Sequence, residues 1–430
     1  MIFDQSLLDK IRAEFPRAAR DASGRKRAFM DNGTGSLVVA RAARAESAAR
    51  VDCSANVGAI FRESKEAEAT ILEGRKAVAD LLNAPSHNTI VSGESATSLL
   101  FSLSYALGRE FTGHENVVTT DYEHYANVSP WIELERRGTI SDVRFARLNK
   151  AEGTLDLDHF KNLIDGKTKV VTVTAASNVL GTKSPLHEVR EIARAAAAYF
   201  VVDAVHHAPH GPIDVQAIDC DFLVFSGYKM FSSHGSFLYG KEDLLRRLKP
   251  YKVAPARDEP PYKWEWGTRN QSMFAAMGGV VDHLVWLADE IGSGYGKSLE
   301  AYSGRSRSLK IAMHAIEEYG RDLSRLILQG VDGLPGLLQM RHVGVYGLTD
   351  GNRLDERDPT FAFKVQGSPD QEVVEHIWNK YGVALRAEDF YSRVHRVYDA
   401  TTMVRASLVH YNTAEEVGQL LKAIDELDRA

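Results

Sequence analysis

Between residues 89 and 239 the chain repeats one unit: a short apolar run, a few polar residues, then in most cases a helical pattern. The apolar runs fall at 89–91, 116–119, 143–146, 170–174, 200–203, 222–226 and 236–239. Short runs without polar alternation belong to strands buried on both faces, and strands separated by helical segments pair in parallel through crossovers. The sequence therefore predicts an α/β fold: a mostly parallel seven-stranded sheet with helices on both sides. In such a sheet, functional groups gather just beyond the carboxyl ends of the strands.

After Lys249 the pattern changes. Residues 250–266, PYKVAPARDEPPYKWEW, are rich in proline and aromatics and predict an irregular loop. Helical stretches follow at 274–291 and 299–319, then strand-like runs at 342–348, 360–365 and 404–408, with helices near 370–381 and 414–427. These predict a small C-terminal α/β domain. The expected division is a large domain over 28–280 and a small one made of 1–27 and 281–430. The opening residues predict an amphipathic helix stopped near Pro16.

Composition limits the partners. A net charge of -6 carries no footprint for nucleic acid. No apolar run reaches the length of a membrane span or a signal peptide. Cys53 and Cys220, the only cysteines, make no disulfide framework. The expectation is a soluble cytoplasmic enzyme with neither nucleic-acid nor membrane partners.

The segment 200–229, FVVDAVHHAPHGPIDVQAIDCDFLVFSGYK, places Asp203 at the end of one apolar run and Lys229 just past the end of the next. A strand-end carboxylate and a neighbouring amine are the two poles of a pyridoxal 5'-phosphate (PLP) site. The acid keeps a ring nitrogen protonated, and the amine forms a Schiff base with the aldehyde. Other strand ends agree. Gly93-Glu94-Ser95-Ala96-Thr97 opens a helical pattern and offers hydroxyls and free N–H groups to a phosphate; a plain N-cap is the plainer reading. His124, after another run, can stack on a flat ring, and Asn178, after a third, can donate to a phenolate oxygen. Gly33 and Gly35 form a turn where backbone can approach a ligand.

Two rival motifs fall away. His206, His207 and His210 suggest a metal, but Pro209, Gly211 and Pro212 rule out the helix that would converge an i, i+4 pair. No metal is expected, and His207 and His210 read as loop residues that hydrogen-bond locally. Residues 292–298 look like a phosphate-binding loop, but Ile291 stands where its first glycine belongs and no strand precedes it.

Glu123-His124, Ser177 to Thr182, Asp203 with His206, Ser226-Gly227-Tyr228-Lys229, Gly267-Thr268, and Arg405 followed by Tyr411-Asn412-Thr413 occur in one order along nearly the whole chain. With this set the chain resembles the class V aminotransferase family of fold-type I PLP enzymes, in the branch of cysteine desulfurases and selenocysteine lyases. The resemblance implies catalytic roles for Lys229, Asp203 and His124: Schiff base, pyridine-nitrogen partner and ring stack. It implies Asn178 and His206 beside the ring hydroxyl, with His206 where many relatives carry glutamine. Ser95, Ala96, Ser226 and Tyr228 would hold the phosphate, Tyr228 replacing a common histidine. Thr268 would reach the phosphate of a partner subunit, which implies a homodimer. Arg405 would clamp the carboxylate of an amino-acid substrate.

One departure bears on the reaction. Cysteine desulfurases accept sulfur on a loop cysteine; the corresponding stretch here, GVALRAEDFYS at 382–392, has Tyr391 at that place. A phenol cannot form a persulfide. The expectation is a C–S (β-elimination) lyase rather than a persulfide-forming desulfurase. Transamination and epimerisation, also found in the family, stay open because the cofactor does not choose among them. Against a non-catalytic PLP-fold protein stand the complete cofactor set and Arg405.

Overall fold

Alternate residues of each central strand enter opposite cores. Val170, Val201, Val224 and Leu238 join one buried cluster, with Leu99, Leu103 and Leu107 of the helix Ala96–Gly108. Val171, Val202, Phe225 and Phe237 join the other, with Met277, Val281 and Leu284 of the helix Gln271–Ile291. Burial on both faces is why these runs show no polar alternation. The computed structural model describes residues 1–295 and 299–429.

The main sheet has seven strands in the order Ile90–Gly93, Ser236–Gly240, Phe222–Ser226, Tyr199–Asp203, Thr168–Thr174, Asn116–Thr120, Asp142–Ala146. Ser236–Gly240 runs antiparallel to both neighbours, and every other pair is parallel. Thr174 pairs with Asp203, and Asp203 with Val224, so the carboxyl ends of three neighbouring strands meet at one edge.

A second, antiparallel sheet orders Val343–Tyr346, Thr360–Val365, Met403–Ser407 and Arg386–Glu388. Beside it Ala28–Phe29 pairs in parallel with Val383–Ala384, tying the start of the chain to its last quarter. The strand Arg386–Glu388 was not expected; its three residues are polar or small and exist as a strand through pairing with Met403–Ser407.

Ala40–Asp52 is a helix that the sequence pattern does not announce, because only Ala42 and Ala49 along it are buried. Close packing makes it. A Cβ on Gly279 would lie 2.7 Å from the Ala42 Cα, so glycine lets Gln271–Ile291 approach this helix backbone to backbone. The long helix after it spans Gly304–Gln329 rather than 299–319. Residues 250–266 are irregular apart from the short turn Tyr262–Trp264. Glu265 anchors them: it pairs with Arg75 through two contacts of 2.8 and 3.0 Å and accepts from the Ser92 N–H (2.9 Å) and Oγ (2.7 Å). In the loop-like motif at 292–298, Gly292–Tyr295 form a single turn, and 296–298 lie outside the described residues. No described helix is long and apolar enough to cross a membrane.

Candidate active site

Asp203 ends its strand, and Lys229 closes the turn Gly227–Lys229 that follows the adjacent strand. Both line one cavity with Ser95, Ala96, His124, Asn178, His206, Ser226 and Tyr228. Nine of the residues singled out from sequence thus converge on one space. Thr268 does not: it lines two other cavities, with Arg269, beside the exposed Trp266.

Burial sets the protonation states. It raises the Asp203 carboxyl to about 6, against the Val205 N–H, which donates to Oδ1 at 2.9 Å, and the charge of Lys229. It lowers Lys229 to about 8, helped by Arg405 and opposed by Asp203 and Asp31. Roughly one amine in ten is then neutral at pH 7. His124 is held down to about 3 by burial, then by Lys229 and Arg405. Its Nδ1 accepts the Ala126 N–H at 3.0 Å, so the neutral ring carries its proton on Nε2.

The phosphate-type turn is both things the sequence suggested. Ser95 caps the helix Ala96–Gly108 in a reciprocal box with Ser98, and the start of that helix lines the cavity. Ser226 Oγ lies 2.9 Å from Ser236 Oγ, and the Tyr228 ring stacks on His234 at 5.2 Å.

Three buried polar atoms around the site lack partners in the protein. Asn178 donates to the Phe390 carbonyl (3.0 Å) but leaves Oδ1 free. His206 shares Nε2 with Thr360 Oγ1 (3.0 Å) and leaves Nδ1 free; Arg405 leaves Nε free. An orphaned buried polar atom costs about 1–3 kcal/mol, so three in one place fit a polar ligand. An acid for a ring nitrogen, an amine for an aldehyde, a neutral flat imidazole and a helix start for a phosphate fit PLP.

Arg405, fully buried on the strand Met403–Ser407, donates to the Asn178 carbonyl (2.9 Å) and Thr34 Oγ1 (2.6 Å) and lies 3.3 Å from Asp31 Oδ1. Its guanidinium stacks on Phe390 at 3.9 Å. It opens on a wider cavity of about 610 Å³ that shares His124, Asn178, Tyr228 and Lys229 with the first. The glycine turn lines this cavity at Gly33 and also makes room for the arginine: a Cβ on Gly33 would lie 2.9 Å from Arg405 Cζ.

Sequence reasoning assigned no role to three contributors. Asp31 and Thr34 support Arg405 from 374 and 371 residues away, and no local pattern shows such a pairing. Glu123 is buried and accepts from Thr120 Oγ1 (2.7 Å), Asn127 Nδ2 (2.8 Å) and the Thr174 N–H (2.9 Å), fixing the turn that presents His124. Its place beside His124 in the sequence was the available signal.

The histidine reading needs correction. His207 Nδ1 does not bond locally but meets Asp358 Oδ2 at 3.0 Å, 151 residues away. His206, His210 and Asp358 are all buried, with candidate ligand atoms within 4.8 Å of one another. The proline- and glycine-containing turn, though not helical, curls the rings together against the chain leading into Thr360–Val365. Lys183 also lies 4.0 Å from Asp358.

Residues 28–302 and 307–420 match the family model described as aminotransferase class-V. The chain is 33% identical over 364 residues to a probable cysteine desulfurase of Synechocystis, covering 81% of this chain and 78% of that protein. It is 30% identical over 438 residues to a cysteine desulfurase of Escherichia coli O7:K1, covering 98% of each. Its structure is similar to the S-sulfonic acid form of the cysteine desulfurase CsdA from Escherichia coli, with a TM-score of 0.80, 25% identity and 99% of both chains covered. It is also similar to the apo cysteine desulfurase of Thermococcus onnurineus, with a TM-score of 0.82, 25% identity and 98% of both chains covered. The chain belongs to the aminotransferase class-V family and is a PLP-dependent enzyme of fold type I, in the cysteine desulfurase-like branch.

Proposed function

We propose that this enzyme is a C–S lyase, which eliminates a thiol from the β-carbon of an S-substituted cysteine without forming a persulfide on the protein. The observation that carries the reading is Tyr391. It lines the wide cavity beside Lys229 and Arg405, and among the described residues that line it there is no cysteine. Cys53 and Cys220 are buried elsewhere, and burial pushes the Cys220 thiol far above its ordinary value, away from the thiolate that sulfur transfer needs.

In this reading the large domain is 28–280 and the rest forms the small one. Arg405, with Nε free, takes the substrate carboxylate. Lys229 Nζ, partly neutral at physiological pH, takes the α-proton and can pass it to the departing sulfur. Asp203 would face the ring nitrogen, and His124 would cover the ring as a neutral plate. Asn178 and His206 Nδ1 would flank the ring hydroxyl, while Ser95, Ala96, Ser226 and Tyr228 would hold the phosphate. Thr268 serves the site of a second copy in a homodimer, which accounts for its distance from this one. When bound, PLP supplies the electron sink that makes the α-hydrogen acidic. In the net reaction the α-hydrogen leaves as a proton, and the Cβ–S bond breaks with its electron pair going to sulfur. The thiolate takes up a proton, and water hydrolyses the remaining enamine to pyruvate and ammonia.

Incubation with S-methyl-L-cysteine should release thiol, pyruvate and ammonia in equal amounts. Accumulation of pyridoxamine phosphate, or racemised substrate without pyruvate, would replace this reading with transamination or epimerisation. Arg405→Ala should raise KM by about 30-fold or more, because it removes a buried charged anchor. An unchanged KM would take Arg405 out of carboxylate binding. The double variant Cys53→Ala/Cys220→Ala should keep kcat within about twofold, since neither thiol touches the cavity; a dead variant would restore a thiol mechanism.

A further inference from the structure

The stretch that carries Tyr391 is fastened across the site. The Tyr125 N–H donates to the Tyr391 carbonyl (2.7 Å), Asn178 to the Phe390 carbonyl (3.0 Å), and the Arg393 N–H to the Glu123 carbonyl (3.2 Å). Arg393 also pairs with Asp121 at 2.9 Å and covers Phe145 at 3.5 Å. These ties hold Phe390 and Tyr391 consecutively at φ of 51° and 49°, left-handed conformations that glycine or asparagine would adopt more readily. Bulky rings kept at two such positions point to a use for the rings themselves.

Their surroundings say what the use is. Phe390 is buried under the Arg405 guanidinium, while Tyr391 (66% exposed) and Phe101 (40% exposed) stand open on the wall of the wide cavity. Exposed aromatics on a concave wall are apolar area awaiting a partner. With the substrate carboxylate at Arg405 and its α-carbon at Lys229, Phe101 and Tyr391 are the exposed large apolar residues left on the wall for the side chain. Glu388 on the same cavity and Asp31 are both paired with Arg386 (3.6 and 3.0 Å), so beyond Lys229 and Arg405 the described residues that line the cavity offer no cation to an anionic side chain.

We propose that Tyr391 and Phe101 select an amino acid whose side chain ends in an uncharged aromatic group, which under the C–S lyase reading is an S-benzyl- or S-aryl-cysteine. The inference concerns binding, and its test separates it from the elimination chemistry on which that substrate name rests. Holoenzyme is titrated with S-methyl-, S-carboxymethyl- and S-benzyl-L-cysteine, reading Kd from the change in visible absorption and, separately, pyruvate release. S-benzyl-cysteine should bind about 10- to 100-fold more tightly than S-methyl-cysteine, as burial of a phenyl ring predicts, with S-carboxymethyl-cysteine weakest. Tyr391→Ala and Phe101→Ala, both at exposed side chains, should each cut that preference by about fivefold or more, while Tyr391→Phe keeps it. Equal affinity for the methyl and benzyl compounds would overturn the inference, and pyruvate from both would leave the lyase reading intact. A benzyl preference that survives both alanine variants would overturn the assignment to these rings. A benzyl preference without pyruvate would uphold the inference and remove the lyase reading.

Discussion

Lys229→Ala will lose turnover by about 10⁴-fold or more while still binding PLP, now without covalent attachment. The size of the loss follows from the two tasks proposed for one nitrogen: attaching the cofactor and carrying the α-proton. Borohydride treatment followed by peptide mass mapping should label the unaltered enzyme at Lys229 and the variant nowhere. A label on another lysine would displace Lys229 from its role. The pH dependence has a definite sign. Only the neutral amine attacks an aldehyde, and burial lowers Lys229 to about 8. Covalent attachment should therefore slow about tenfold for each pH unit below 8 and level off above it. An unburied lysine would still be slowing at pH 9.

Asp203→Ala comes next in size. The variant should keep bound cofactor, yet exchange the substrate α-hydrogen about 10²- to 10⁴-fold more slowly, measured by deuterium incorporation from heavy water. In the protein alone, burial raises this carboxyl to about 6. A pyridinium facing it would draw the pKa down again, so acid and ring nitrogen each favour the other's charged form. Asp203→Asn separates charge from shape, because it keeps the side-chain volume and an acceptor for the Val205 N–H. If Asp203→Asn exchanged at the full rate, the carboxylate charge would have no part in the chemistry.

Most of the sheet was legible because both of its faces are buried. All seven apolar runs became strands, and 222–226 matched its strand end for end. The cavity around Asp203 and Lys229 was legible for a related reason: a parallel sheet delivers its strand ends to one edge, so separate motifs become neighbours. Contacts made by the second sheet were not. Asp31 and Thr34 beside Arg405 depend on pairings across most of the chain, and Asp358 beside His207 on one across 151 residues. Arg386–Glu388 carries too little apolar character to read as a strand without its partner, and Ala40–Asp52 needs Gly279 opposite it to become a helix that packs. The histidines misled because a proline-containing turn can converge rings as well as a helix does.

The pairing of Ala28–Phe29 with Val383–Ala384, and of Asp31 with Arg405, imposes an order of maturation. A chain emerging from the ribosome can complete residues 90 to 240, with the whole main sheet, long before its final quarter exists. A polypeptide cut or stalled before Val383 would lack both the guanidinium and the strand that receives the opening residues. Such a fragment would retain the lysine and aspartate poles but lose the guanidinium proposed to grasp an amino acid, together with Phe390, which Asn178 contacts. Removal of the whole last quarter also takes Thr360, which His206 contacts, so proteolysis there would silence the enzyme.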